Sequence, residues 1–447
     1  MNQDQLNKLK KALGEQASQT ELQEFLQDIE DLLSKPYQLY WPNKYTAHKS
    51  VFLPTTNKLD PTFSDKEHTY IVGDNLHAMQ VLNQSHKNAF KCIYLDPPYN
   101  TGKAFVYNDK KHGNGLENSR VSWLKMIYPR LILCRELLQE NGVLFVSIDD
   151  HAQPLIRNIC DEIFGAHHFI CTFVWRRSGA GGLRGKFPVP THEYILCYTK
   201  DIHAHKEAWF APYSQESLSD FKHKDHLGAY KRQALYLSTL RPSSSQNYPI
   251  ELPDGTLATP PSNRGAWRYI ESKYQQELNK GNIEFIRSQK SPLFLSNGQS
   301  ASYNIYTKQY MNPQGSNPST LLPESLGQTR SARAELKKLM GADVFDYAKP
   351  VKLIQYLFSL FPSKPLDLFL DPFSGSGTSA HALLKLNQDG IQRRFVMIQQ
   401  EEPCPKNSNA FRVGYRSISE LGQARIKRSI QEMNLDVEFK TIRLKSH

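Results

Sequence analysis

Apolar positions recur along this chain at two different periods, and the alternation between them predicts its elements. Near the N-terminus Leu6, Leu9, Leu13, Leu22, Phe25, Leu26, Ile29, Leu32 and Leu33 fall at helical spacing, followed by the aromatic, Pro-broken stretch YQLYWPNKY. From residue 68 onward short apolar runs take over. HTYIVGD and KCIYLDPPYN read as strands that stop at turn residues, and VLFVSIDD reads as a strand buried on both faces. Between them, LHAMQVLNQ and WLKMIYPRLILCRELLQENG have one apolar face each and predict helices, the second closed by Gly142. FICTFVWRR and HEYILCYTK add two further strands. Periodicity then fades over 201–330, where His, Ser, Asn, Pro and aromatic residues rise. It returns with the helices AELKKLMG and KPVKLIQYLFSLF, the strand–loop–helix unit LDLFLDPFSGSGTSAHALLKL and the strand RRFVMIQQEE.

Strands that alternate with helices imply a doubly wound, mostly parallel α/β sheet. The predicted organisation is a helical arm over 1–60, one half of the α/β domain over 61–200, an inserted module with its own small core over 201–330, and the second half with a C-terminal extension over 331–447. The arm reads as a docking or dimer element.

Composition narrows the class. At 447 residues and 39% hydrophobic the chain can bury more than one core. Its six cysteines stand far apart with no CxxC pair, which excludes a disulfide framework and a structural zinc site of that spacing. No apolar stretch reaches bilayer length, and no N-terminal signal is visible, so a cytoplasmic protein with no membrane partner is expected. The net charge is +11, and residues 176–333 hold 20 Lys and Arg against 12 Asp and Glu. The positive excess is therefore concentrated in and before the inserted module, which favours a polyanionic partner.

Two motifs carry chemistry. In LDLFLDPFSGSGT, glycines at a strand-to-helix turn let a ligand approach the backbone, and the helix start favours its negative groups. The unit is neither a full dinucleotide fingerprint nor a P-loop. For an S-adenosylmethionine ligand, Asp371 offers a partner to the α-amino group, and Phe373 an apolar face to the sulfonium. Gly375 and Gly377 form the turn. The helix that starts near Lys349 and Pro350 offers donors to the carboxylate. Gln399, Glu401 and Glu402 stand where such folds bind ribose hydroxyls.

The second motif is Asp96-Pro97-Pro98-Tyr99. Two prolines cannot continue a central strand, so they hold Asp96 and Tyr99 rigidly at its C-terminal end. Asp96 can accept one exocyclic N–H and the carbonyl of Pro97 the other, which aims the amine lone pair out of the base plane. Tyr99 offers a flat face to an extruded base.

DPPYNTG, the helix after it, GVLFVSIDD and the later DPFSGSGT resemble the β-group of amino-methylating DNA methyltransferases. Modification subunits of type III restriction–modification systems are the most similar, over roughly residues 65–405. The resemblance implies a permuted Rossmann-like methyltransferase fold with a target-recognition domain between the motifs, double-stranded DNA as substrate, a possible restriction subunit as partner and a homodimer. It assigns Asp96, Pro97, Pro98 and Tyr99 to the flipped base. Asp74, Lys349, Pro350, Asp371, Phe373, Gly375 and Gly377 go to the cofactor, with the ribose left among Gln399, Glu401 and Glu402. Asp rather than Ser before Pro-Pro-Tyr points, in this family, to adenine N6. Cytosine N4, an RNA substrate, and an inactive fold that only binds DNA are the alternatives, with a nucleotide-dependent oxidoreductase disfavoured by the Asp-Pro-Pro-Tyr loop and the incomplete Gly fingerprint.

Other features are weaker. The Gly-rich basic run at 176–186 fits a phosphate-gripping loop and a solvated hairpin equally. His192 and Glu193 lie on a predicted strand with side chains on opposite faces, which favours packing or DNA-facing roles over a metal pair. The His-rich stretches 203–207 and 223–226 lack acidic or Cys partners at metal spacing. Trp209, Trp267 and Tyr269 fit base stacking or, more commonly, core packing.

Overall fold

The seven predicted strands pair, together with two that the sequence did not signal, into one nine-stranded sheet. A computed structural model describes residues 39–42, 44–52, 55–60, 62–99, 116–179, 186–241, 243–261 and 264–445. The helix expected over Leu6–Leu33, the Asn100-Thr101-Gly102 turn, and Gly181, Gly182, Arg184 and Gly185 lie outside the described residues.

The strands are β1 (Lys58–Asp60), β2 (His68–Val72), β3 (Phe90–Leu95), β4 (Leu138–Ile148), β5 (Phe169–Arg176), β6 (His192–Thr199), β7 (Leu368–Asp371), β8 (Arg394–Gln399) and β9 (Phe439–Lys445). Their spatial order is β1-β9-β2-β8-β7-β3-β4-β6-β5. The six strands from β9 to β4 are mutually parallel, and β1, β6 and β5 run antiparallel to their neighbours. Every residue of β2, β3 and β7 is buried, which is why these segments read as continuous apolar runs instead of alternating ones.

Helices α1 (Lys44–Phe52), α2 (Asn75–Ser85), α3 (Leu116–Leu137) and α4 (Gln153–Phe164) belong to the first half. Helices α5 (Thr329–Met340), α6 (Val351–Ser359), α7 (Thr378–Leu386) and α8 (Ile418–Glu432) belong to the second. The connections β2-α2-β3 and β3-α3-β4 step across the sheet in one direction, whereas β7-α7-β8 and β8-α8-β9 step in the other. Right-handed crossovers therefore put α2 and α3 on one face and α7 and α8 on the opposite one. The direction reverses between β3 and β7, which are hydrogen-bonded neighbours in register Leu370–Ile93.

Helix α3 does not run to Gly142. It ends at Leu137, because Leu138 is captured by pairing with Phe90, and the ladder resumes only at Val143 opposite Cys92. Residues 139–142 bulge out between these pairs, with the Gly142 carbonyl accepting the Thr199 hydroxyl at 2.9 Å. Gly142 thus serves a bulge and not a helix end.

A second compact unit comprises Phe210–Pro318. Its core gathers Leu235, Tyr248, Ile250, Trp267, Tyr274 and Ile305, beside a four-stranded antiparallel sheet ordered 283–287, 303–310, 228–234, 223–225. Trp267 is fully buried, its indole N–H donating to the Tyr248 carbonyl at 2.8 Å, and Tyr269 packs against the same core. Residues 201–209 and 319–330 fall to the main unit. The Trp209 ring packs tilted against Phe361 at 5.5 Å, and the Thr320 and Gly327 carbonyls accept the Val174 amide and the Trp175 indole, both at 2.8 Å. Pairing along β5 holds this return segment.

Among the described residues no helix is long and apolar enough to cross a membrane, and no three His, Cys, Asp or Glu side chains gather as a metal site.

Candidate active site

Because β3 and β7 are adjacent and parallel, their C-terminal ends release the two motifs side by side, in the crevice where the strand order reverses. Asp96 follows β3, and Asp371 ends β7. A cavity of about 620 Å³ opens between them. The Asn75 amide donates to the Pro372 carbonyl at 2.7 Å, and the Trp123 indole to the Pro98 carbonyl at 2.5 Å, so helices α2 and α3 anchor both loops.

Four polar side chains converge on the first motif. The Tyr99 hydroxyl donates to Asp96 Oδ1 at 2.7 Å, with Glu193 Oε2 at 3.2 Å as a second acceptor. Lys349 Nζ donates to both Asp96 oxygens, at 2.7 and 2.8 Å, and to Tyr99 Oη at 2.6 Å. The same ammonium stands 5.0 Å from the Tyr99 ring centre and 3.5 Å from Glu193. Burial alone would lower the Lys349 pKa, but the carboxylates of Asp96 and Glu193 outweigh it and hold the ammonium charged. Burial and then the Asp96 charge push the Tyr99 phenol far above its ordinary range, so it acts as a neutral hydroxyl.

The second motif forms a cradle. Gly375 and Gly377 have φ of +51° and +79°, a region that favours glycine. A Cβ on Gly377 would lie 3.0 Å from the Gly422 carbonyl, and one on Gly422 would lie 2.7 Å from the Tyr70 hydroxyl. Helix α8 can press against the loop only because both positions lack a side chain. From α8, Arg425 is fully buried behind the loop and donates to Ser376 Oγ at 2.9 Å and Thr378 Oγ1 at 2.6 Å. Asp371 is 3% exposed. It accepts the Phe373 amide at 2.9 Å and the Ser379 hydroxyl, yet burial still pushes its pKa up to about 7. A buried carboxyl beside an apolar, Gly-lined loop has the chemistry to pair with an organic cation, whose charge would favour its ionised form. These residues therefore fit a ligand that combines an ammonium or sulfonium charge with apolar parts.

Of the sequence candidates, Asp96, Pro97, Pro98, Tyr99, Lys349, Asp371, Phe373, Gly375 and Gln399 line the cavity. Pro350 is the N-cap of α6, and Gly377 that of α7. Two candidates stand elsewhere. The Asp74 carboxylate caps α2 through the His77 amide at 3.1 Å and faces Arg130 at 3.4 Å, so helix-end geometry claims it and it does not line the cavity. Glu401 pairs with Arg443 of β9 at 3.3 Å, while Gln399 and Glu402 face the cavity. Gln399 Oε1 accepts the Gly375 amide at 2.8 Å, and burial raises the Glu402 pKa. Lys349, read as a cofactor residue, spends its ammonium on Asp96.

Sequence reasoning assigned Glu193 to packing or to DNA. The structure puts it 6% exposed in the cavity wall, joined at 3.6 Å by Arg177 from the basic run. Its only signal in sequence is a charged residue inside an apolar strand, HEYILCYT. Arg425 and Gly422 had no signal at all.

A family profile described as DNA methylase matches residues 90–404, which include both motifs and the inserted unit. The chain belongs to the DNA methylase family. It is 31% identical to the type III restriction-modification enzyme EcoPI Mod subunit of Escherichia phage P1, over 92% of this chain and 70% of that subunit. It is 28% identical to the StyLTI Mod subunit of Salmonella typhimurium LT2, over 92% of this chain and 65% of that one. The type II methyltransferase M.KpnI of Klebsiella pneumoniae is 29% identical over 86% of this chain and 93% of its own length. As a DNA methylase, the protein draws its methyl group from S-adenosylmethionine, and the acid-lined cradle beside Asp371 has the chemistry to receive that cation.

Proposed function

We propose that this protein methylates N6 of adenine in double-stranded DNA, as the modification component of a restriction–modification system of type III kind. The observation that carries the reading is Asp96. It is a carboxylate held by a rigid Pro-Pro turn at the mouth of the cavity, one strand away from the buried acid of the cofactor cradle.

In this reading S-adenosylmethionine supplies an electrophilic methyl group on a sulfonium that leaves as a neutral thioether. Asp371 holds the ammonium end, and Gln399 and Glu402 take the ribose. Asp96 accepts one N–H of the extruded adenine and orients the nitrogen lone pair toward the methyl carbon. As the N–C bond forms and the C–S bond breaks, positive charge grows on that nitrogen, and Asp96 stabilises it before the proton departs. No covalent attachment to the protein is needed.

The Asp of the Pro-Pro-Tyr motif supports adenine over cytosine within the resembled group. The basic unit at 210–318 is the proposed target-recognition domain. Pairing with a restriction subunit, self-association as a homodimer and a cytoplasmic location belong to the same proposal.

The test is incubation with labelled S-adenosylmethionine and unmethylated bacterial genomic DNA, which carries every short sequence, then digestion to nucleosides. Label in N6-methyladenine is expected. Label in N4-methylcytosine would overturn the base, and no label with cofactor binding intact would overturn the activity.

A further inference from the structure

We propose that Glu193 is a positioning residue that takes Lys349 and the Tyr99 hydroxyl off Asp96 when a target amine enters. The inference rests on the reading of Asp96 as the amine's acceptor.

The Lys349 ammonium holds both Asp96 oxygens, at 2.7 and 2.8 Å. It thus stands in for the exocyclic amine, a nitrogen donor on the same acceptors. An amine that binds Asp96 has to displace this contact. An ammonium left there blocks the hydrogen bond the amine needs and sets a positive charge beside the nitrogen that becomes positive. Lys349 has to move, and a buried ammonium needs a second anion to move to.

Glu193 is that anion. Its Oε2 lies 3.5 Å from Lys349 Nζ and 3.2 Å from the Tyr99 hydroxyl. Pairing of Glu193 with Trp175 across β6 and β5 fixes its backbone, and its side chain is 8% exposed. The lysine stem is flexible and carries three donors, so a short swing exchanges one carboxylate for the other without a passage through water. Tyr99 has a single hydroxyl proton and two acceptors, so rotation toward Glu193 releases Asp96 Oδ1 as well. Arg177 faces the other Glu193 oxygen at 3.6 Å from a 41% exposed position at the rim.

The role is tested by epistasis. Single-turnover methyl transfer to genomic DNA is measured for wild type, Glu193→Gln, Lys349→Met, the double variant and Asp96→Asn. Cofactor affinity and melting temperature are followed for each. Glu193→Gln is expected to slow transfer by about 100-fold with the cofactor dissociation constant nearly unchanged. Adding Lys349→Met should then restore at least about tenfold, to the rate of Lys349→Met alone, because Glu193 matters only through the lysine. A double variant no faster than Glu193→Gln, or a Glu193→Gln variant at the wild-type rate, overturns the proposal. If Glu193→Gln loses cofactor binding, Glu193→Asp, which keeps the charge, takes its place and must outpace Glu193→Ala. A wild type without transfer, or transfer that survives Asp96→Asn, overturns the reading of Asp96 instead.

Discussion

Lys349 follows Asp96 by 253 residues, yet its ammonium bridges both oxygens of the Asp96 carboxylate. The contact joins the end of β3 to the start of α6 and makes the two halves of the α/β unit a single site. With Asp96 as the proposed acceptor of the target amine, Asp96→Ala should reduce methyl transfer by at least about 100-fold. Cofactor affinity, read by calorimetry, should change by less than about threefold. Loss of cofactor binding in that variant would contradict the division of labour.

With Asp371 as the proposed partner of the cofactor's cation, binding should depend on pH. The folded pKa of Asp371 is raised to about 7 from 3.8, so a cation bound beside it should displace a proton near neutrality. Affinity for S-adenosylmethionine should strengthen as pH rises from 6 to 8 and release a proton. Asp371→Asn should weaken affinity and flatten that dependence. For folding the sign is opposite. The folded state binds the extra proton between pH 3.8 and about 7, so this group's contribution to stability falls as pH rises through that window. Cofactor-induced melting shifts should therefore be larger at pH 8 than at pH 6.

The ribose side distinguishes three neighbours. Gln399→Ala removes the acceptor of the Gly375 amide, and Glu402→Ala removes a cavity-facing carboxylate. Each should weaken cofactor binding by about tenfold, the worth of one good hydrogen bond. Glu401→Ala breaks only the exposed pair with Arg443 and should leave affinity within about twofold.

Gly377→Ala puts a methyl group 3.0 Å from the Gly422 carbonyl at a φ of +79°. A loss of about 1–3 kcal/mol in unfolding free energy is expected, read from urea denaturation.

Arg425 supports the same loop from behind. Burial lowers its pKa to about 10, and the Ser376 and Thr378 hydroxyls are its hydrogen-bond acceptors. Arg425→Ala leaves a void and two orphaned hydroxyls. It should cost about 3 kcal/mol of stability by the same measurement, with weaker cofactor binding as the loop loosens.

By itself the sequence determined the parallel sheet, since strands buried on both faces must be written as unbroken apolar runs, as HTYIV, FKCIYL and RFVMIQ are. It also determined the two loops, because Pro-Pro and Gly-Ser-Gly turns are local chemistry that needs no partner. The inserted unit was legible from the loss of periodicity, although its edges moved from 201–330 to 210–318 once pairing with β5 held the return segment. Only the tertiary structure decided what faces what. It turned Glu193 inward to Tyr99 and Lys349, set the Lys349 ammonium on the Asp96 carboxylate, turned Glu401 out to Arg443 and gave Asp74 to a helix cap. Such choices depend on strand register and on contacts between segments up to 253 residues apart, which no local pattern of residues encodes.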